Sequence, residues 1–188
     1  ALDGMTDFRL DNLAIDGQTS TELLQRLNNG LYDEQLKHAD VVVLSIGGND
    51  LLENIYPIIS SLGITAENRE LNLSNVDILL LLSQISTLEE DLKTSLTQFE
   101  VNLKEISTIL NDKTDGIVYI QTLYNPFEDF VDISMVTEFT QSNLDKFNNI
   151  VRNNSADSYK IIDVAASFVG KCNSLTRISE IDIHPNEA

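Results

Sequence analysis

The stretch Asp40-Val41-Val42-Val43-Leu44-Ser45-Ile46-Gly47-Gly48-Asn49-Asp50 decides the fold. Its apolar run is short and rich in β-branched side chains, which reads as a strand buried on both faces rather than as a piece of helix. Two glycines stop the run. They let the backbone turn through conformations closed to other residues, and they deliver Asn49 and Asp50 just past the strand's carboxyl end. Open parallel α/β sheets bind their ligands along that edge. A carboxamide held there is a neutral donor, able to hydrogen-bond an oxygen that gains negative charge during a reaction. A turn in which Asn49 and Asp50 bond only local backbone is the competing reading.

Upstream, Phe8 to Ile15 alternates in part and reads as a strand ending in an Asp16-Gly17 turn. Thr19 with Glu22 three residues later has capping-box spacing, Leu23, Leu24 and Leu27 form an apolar stripe, and Asn29-Gly30 ends the helix. Gly17 therefore falls between a strand's end and a helix's first turn, where unpaired N–H groups collect and a ligand can approach the backbone closely. A glycine needed only for the turn is the plainer alternative. Leu31 to His38 reads as a short helix, with His38 on the surface.

Downstream of Asp50 an insertion of weak periodicity runs to about Asn75 and contains Pro57 and Gly63. Such a stretch either covers a site or decorates the periphery. From Val76 the pattern turns helical, and Ser86 with Glu89 reads as the start of a second long helix. Leu88, Leu92, Leu96, Phe99, Leu103, Ile106 and Leu110 step by three or four residues and form one core-facing stripe, ended at Asp115-Gly116. Ile117 to Ile120 is another strand, leaving the sheet through Leu123-Tyr124-Asn125-Pro126-Phe127, since Pro126 cannot continue a ladder. Val136, Phe139, Phe147, Ile150 and Val151 mark a further helix, Tyr159 to Val164 a last strand, and Ala165 to Ser174 an irregular segment. Strands alternating with helices imply a parallel sheet with helices on both faces.

The 188 residues fit a single domain burying roughly 70% of its unfolded surface. Twelve Lys and Arg against thirty Asp and Glu leave a formal charge of −18, which disfavours nucleic acid and anionic membrane surfaces as partners. Cys172 is the single cysteine, so no intrachain disulfide forms and a buried thiol is expected. The apolar run Ile78 to Leu82 is far short of the ~20 residues that cross a bilayer. The chain begins at Ala1 without an initiator Met, so its amino end reads as processed or cut.

At the other end stands Ile181-Asp182-Ile183-His184-Pro185-Asn186-Glu187-Ala188. Pro185 biases His184 toward extended backbone, suited to an imidazole projecting from a loop. A histidine beside a carboxylate can act as general base near neutral pH.

Three separated pieces, Asn12-Leu13-Ala14-Ile15-Asp16-Gly17-Gln18-Thr19-Ser20, Ile46-Gly47-Gly48-Asn49-Asp50 and Asp182-Ile183-His184-Pro185-Asn186, together resemble the second, third and fifth sequence blocks of the SGNH hydrolases, or GDSL lipase/esterase family. The Leu123 to Phe127 run is similar to a feature of its bacterial lipase-like members. The resemblance implies a flavodoxin-like three-layer α/β/α fold with a parallel sheet, over one domain spanning residues 1–188, and hydrolysis of carboxylic esters through a serine. It implies the Gly17 N–H and the Asn49 carboxamide as oxyanion donors, and His184 as the base. It calls for a small acyl ester as substrate, with no cofactor and no metal, and family habit suggests an extracytoplasmic or secreted location.

Two departures accompany it. The family's nucleophilic serine lies in a Gly-Asp-Ser block on the first strand, and no Gly-Asp-Ser occurs in these residues. The simplest reading is a domain truncated at both ends, its first strand missing. Ser20, Ser45 and Ser60 are poor substitutes, and none is assigned. The family's usual acid position, three before the histidine, is Ile181 here, so Asp182 or Glu180 would serve through a different loop path. A carbohydrate deacetylase of the same fold, and a non-catalytic binding domain, stand as alternatives.

Overall fold

The computed structural model describes residues 9–61, 78–126, 128, 134–177 and 182–186. In chain order the elements are α1 (Ser20–Asn28), α2 (Asp33–Lys37), β1 (Val41–Leu44), α3 (Gly48–Ser61), α4 (Ile78–Lys113) and β2 (Ile117–Gln121). They continue with α5 (Ser134–Asn153), β3 (Lys160–Ile162), α6 (Val164–Phe168), α7 (Cys172–Leu175), β4 (Thr176–Arg177) and β5 (Asp182–Pro185).

The three longer-range strands form a parallel sheet in the order β1-β2-β3, with Leu44 opposite Ile120 and Ile120 opposite Ile161. Side chains alternate across the sheet, and that alternation separates two environments. Val118 and Ile120 point into the core at 4% and 0% exposure, toward the apolar faces of α4 and α5. Val41, Val43 and Ile117 project the other way and are 50%, 55% and 43% exposed. Strand β1, at the edge of this sheet, thus turns one face outward among the described residues and is not buried on both as its apolar run suggests. A run of valines records β-propensity as much as burial.

Helix α4 is the spine of the molecule. Every residue of its expected stripe, from Leu88 through Leu92, Leu96, Phe99, Leu103 and Ile106 to Leu110, is buried. Helices α1, α3 and α5 all pack along it. The Phe99 and Phe147 rings stack at 4.3 Å between centroids, joining α4 to α5. Ser86 and Glu89 do not open a new helix, because α4 runs unbroken for 36 residues from Ile78. Capping-box spacing has no consequence where the preceding turn is itself helical.

Other boundaries also differ from the pattern. Residues 9–15 form no strand, and Phe8 lies outside the described residues. Leu10, Leu13 and Ile15 are 81%, 40% and 41% exposed, and Asn12 accepts a local bond from the Ala14 amide at 3.1 Å instead of leaving that donor to a ladder. The weakly periodic insertion begins as a helix, α3, which continues through Pro57 to Ser61, and residues 62–77 lie outside the described part. The last parallel strand is shorter than expected because Asp163 caps α6, accepting from the Ala166 amide at 3.2 Å. The segment expected to be irregular contains α6 and α7.

Tyr159 closes the core below β3. It is buried, its hydroxyl donates to the Val151 carbonyl at 2.6 Å, and burial pushes its phenol up to about 12. A folded-state pKa raised above the ordinary ~10 means a stabilisation complete below about pH 10 and lost as pH rises through the folded value. Tyr159→Phe is expected to flatten that alkaline loss while costing about 1 kcal/mol at neutral pH. Urea midpoints at about pH 8 and pH 11 check it, and an equally steep alkaline fall in the variant would contradict it.

Candidate active site

The first piece of the site is the turn before α1. The Gln18 amide donates to the Ile15 carbonyl at 3.3 Å, closing a four-residue turn in which Gly17 takes φ +76°. That left-handed position is the reason for a glycine there. The space beside it is open, since a Cβ at Gly17 would meet nothing within 4 Å. Among the described residues the Gly17 N–H has no acceptor. The capping box then starts α1 as expected, with Thr19 Oγ1 accepting from the Glu22 amide at 3.4 Å and Glu22 Oε2 from the Thr19 amide at 3.0 Å. Gly17 follows an irregular segment rather than a strand, but its place ahead of a helix N-terminus stands.

The second piece comes off β1. Gly47 takes φ +98°, and a Cβ there would lie 2.6 Å from Phe99 Cε2 and 2.6 Å from Phe147 Cζ. The turn therefore rests directly on the stacked pair in the core. Gly48 begins α3, so Asn49 and Asp50 occupy that helix's first turn at the carboxyl end of the sheet. Asn49 Nδ2 donates one N–H to the Gln18 carbonyl at 3.1 Å. The structure thus brings Asn49 to the residue next to Gly17, leaving the carboxamide's second N–H for another acceptor.

Below this contact lies a buried polar network that the sequence alone does not disclose. Ser20 is fully buried and donates its amide to Asp50 Oδ2 at 2.9 Å and its hydroxyl to Asp50 Oδ1. Asn102 of α4, 2% exposed, donates to Ser20 Oγ at 2.8 Å and Thr21 Oγ1 at 2.9 Å. Asn54 Nδ2 spans from the Asp50 carbonyl to Ser95 Oγ at 2.9 Å, a second tie between α3 and α4. Asp50 sits in the first turn of one helix and binds the first turn of another, where both dipoles favour its charge. Ser20 is enclosed in these bonds, its hydroxyl proton committed to Asp50. One signal was legible: Asn102 falls three residues after Phe99 and four before Ile106, a polar side chain inside an apolar stripe. Gln18 is also buried, and its Nε2 has no partner among the described residues.

The third piece is the late histidine. His184 lies on β5, which pairs antiparallel with β4 through Thr176 and Pro185, so it stands on a two-stranded hairpin rather than a free loop. It is exposed. The hairpin is tied to the sheet's carboxyl edge through the loop after β2. Asn148 grips both the amide and the carbonyl of Leu123 at 2.8 Å, Tyr124 donates its hydroxyl to the Ile183 carbonyl, and the Tyr124 ring stacks on Phe168 at 4.1 Å. Cys172, fully buried, donates to the Asn125 carbonyl at 3.0 Å. Because β1 and β2 run parallel, the Tyr124 loop leaves at the same edge as Asn49. Asp182 is placed by its backbone opposite Arg177, while its side chain, and all of Glu180 and Ile181, lie outside the described part.

A further carboxylate on this edge is committed elsewhere. Burial pushes Asp163 up, but bonds from Thr122, the Ala166 amide and Arg152 outweigh it and hold the carboxyl below its usual range. Among the described residues no three His, Cys, Asp or Glu side chains are grouped to hold a metal, and no helix is long and apolar enough to cross a membrane.

A parallel sheet with helices packed along it is an α/β fold that this chain shares with solved lipase structures. The extracellular lipase of Streptomyces rimosus superposes with a TM-score of 0.65 at 18% identity, over 97% of this chain and 76% of that one. The lipase Lip_vut3 from a goat rumen metagenome gives 0.59 at 22% identity, over 89% and 66%. In sequence, the chain is 28% identical over 184 residues to the uncharacterized protein YpmR of Bacillus subtilis strain 168, covering 93% of this chain. It spans 59% of YpmR's length. No family model matches.

Proposed function

We propose that this chain forms most of a serine hydrolase acting on carboxylic acyl esters. The observation that carries the reading is the seating of Asn49: its carboxamide is held by the Gln18 carbonyl, beside the open Gly17 amide, at the carboxyl edge of the sheet. Two N–H donors so placed suit the oxyanion of a tetrahedral intermediate, and one such donor lowers the barrier by roughly 3–4 kcal/mol. The fold shared with two lipases supports the same chemistry.

In this mechanism a serine outside the 188 residues attacks the acyl carbon while His184 takes its proton. The carbonyl oxygen becomes the oxyanion between Gly17 N and Asn49 Nδ2. As the intermediate collapses, His184 returns the proton to the leaving alkoxide, and water then releases the acyl group by the same two steps. Asp182 is the nearest acid in sequence to orient the imidazole, with Glu180 as substitute. A charge of −18 favours neutral esters over anionic ones. An extracytoplasmic location accords with the extracellular lipase among its structural relatives.

Treatment of the complete protein with a fluorophosphonate tests the reading. The expected result is one adduct, on a serine outside residues 1–188, that abolishes ester turnover. Residues 1–188 alone are expected to show little or no hydrolysis. Absence of any adduct on the complete, folded protein would contradict the esterase and favour a binding domain, whereas labelling with turnover confined to acetylated glycans would shift the substrate to carbohydrate.

A further inference from the structure

The two oxyanion donors stand on different elements, Gly17 ahead of α1 and Asn49 in the first turn of α3. Their spacing depends on what fixes one helix start against the other. The direct link is the Asp50 carboxylate, which takes both the N–H and the O–H of Ser20. A hydroxyl has one proton to give, so with that proton on Asp50 the Ser20 oxygen can only accept from its other neighbour, and a donor there favours this orientation. That donor is Asn102 Nδ2, at 2.8 Å. The second N–H of Asn102 goes to Thr21 Oγ1 at 2.9 Å, and its carbonyl oxygen accepts from Gln98 Nε2 at 2.9 Å.

We infer that Asn102 is a positioning residue for the proposed oxyanion hole, setting the direction of a one-way chain of donors from Gln98 through Asn102 and Ser20 to Asp50. In this chain α4 acts as the bench on which both donor-bearing turns are aligned. Asn102 is remote in sequence from both donors, and its role rests on the esterase reading only for its catalytic consequence. Asn102→Asp breaks the chain at its middle link, since a carboxylate there has no proton for Ser20 or Thr21 and competes with Asp50 for theirs. The single Ser20 proton is then shared between two acceptors, which loosens its hold on Asp50.

The test uses the complete protein with an activated short-chain ester, together with amide hydrogen exchange over residues 17–20. N102D is expected to lower kcat about tenfold or more with KM within about twofold, and to speed exchange of the Gly17–Ser20 amides by at least about tenfold with the remaining helices unchanged. Thr21→Val, which removes a single acceptor, is expected to move both readouts in the same direction by less, and it decides the matter if N102D does not fold. Unchanged kcat and unchanged exchange in the folded variants would overturn the inference. Where the wild-type protein hydrolyses no ester, that failure belongs to the functional reading, and exchange at residues 17–20 alone decides for or against the network.

Discussion

Gly47→Ala is expected to destabilise the protein by about 2–4 kcal/mol, a large share of the ~5–15 kcal/mol that holds a domain folded. Two effects combine at this position. A side chain at φ +98° carries left-handed strain of order 1 kcal/mol or more. The added carbon also falls 2.6 Å from both Phe99 and Phe147, whose rings are fully buried and stacked on each other. Neither can retreat without opening the α4–α5 contact, and overpacking of this kind costs about 1–3 kcal/mol. Gly17→Ala provides the control, because its φ is also positive but nothing lies within 4 Å, so about 1 kcal/mol of strain is all that is expected. Urea unfolding of the two variants separates the effects, and equal losses would show that the packing beneath Gly47 adds little to the backbone strain.

Asn49→Ala in the complete protein is expected to lower kcat by about 10²–10³ while leaving KM within a few-fold. The separation follows from geometry. The carboxamide spends one N–H on the Gln18 carbonyl and keeps the other for an oxygen whose charge is greatest in the transition state. Loss of the Gln18 bond itself costs only about 1 kcal/mol of stability, so the variant remains folded and the kinetic effect can be read. A roughly tenfold rise in KM with kcat unchanged would mean that Asn49 holds substrate rather than the oxyanion.

The sequence reveals most where one physical signal dominates. The α4 stripe was legible because burial of a long helix against a core imposes a 3.6-residue period that no loop imitates. The start of α1 was legible because Thr19 and Glu22 satisfy each other's backbone donors locally. The position of Asn49 followed from the paired glycines after a valine-rich strand. Signals that depend on distant partners were lost. The exposed Leu10, Leu13 and Ile15 alternate without a strand to pair with, and Pro57 concealed a helix that α3 nevertheless continues. His184 was expected on a loop and stands on the β4–β5 pair instead, because those strands are too short to show in the pattern. The Ser20–Asp50–Asn102 network joins residues up to 82 apart, and the asparagine inside the apolar stripe of α4 was not read as a sign of it.

The central proposition is that Gly17, Asn49 and His184 converge on one reacting centre, and the structure of the phosphonylated complete protein tests it most directly. The expected result is a phosphonyl oxygen about 3 Å from both Gly17 N and Asn49 Nδ2, with the His184 imidazole beside the modified serine on the opposite flank. A phosphonyl oxygen directed away from the Gly17–Asn49 pair, or a His184 facing a different surface from the adduct, would contradict it.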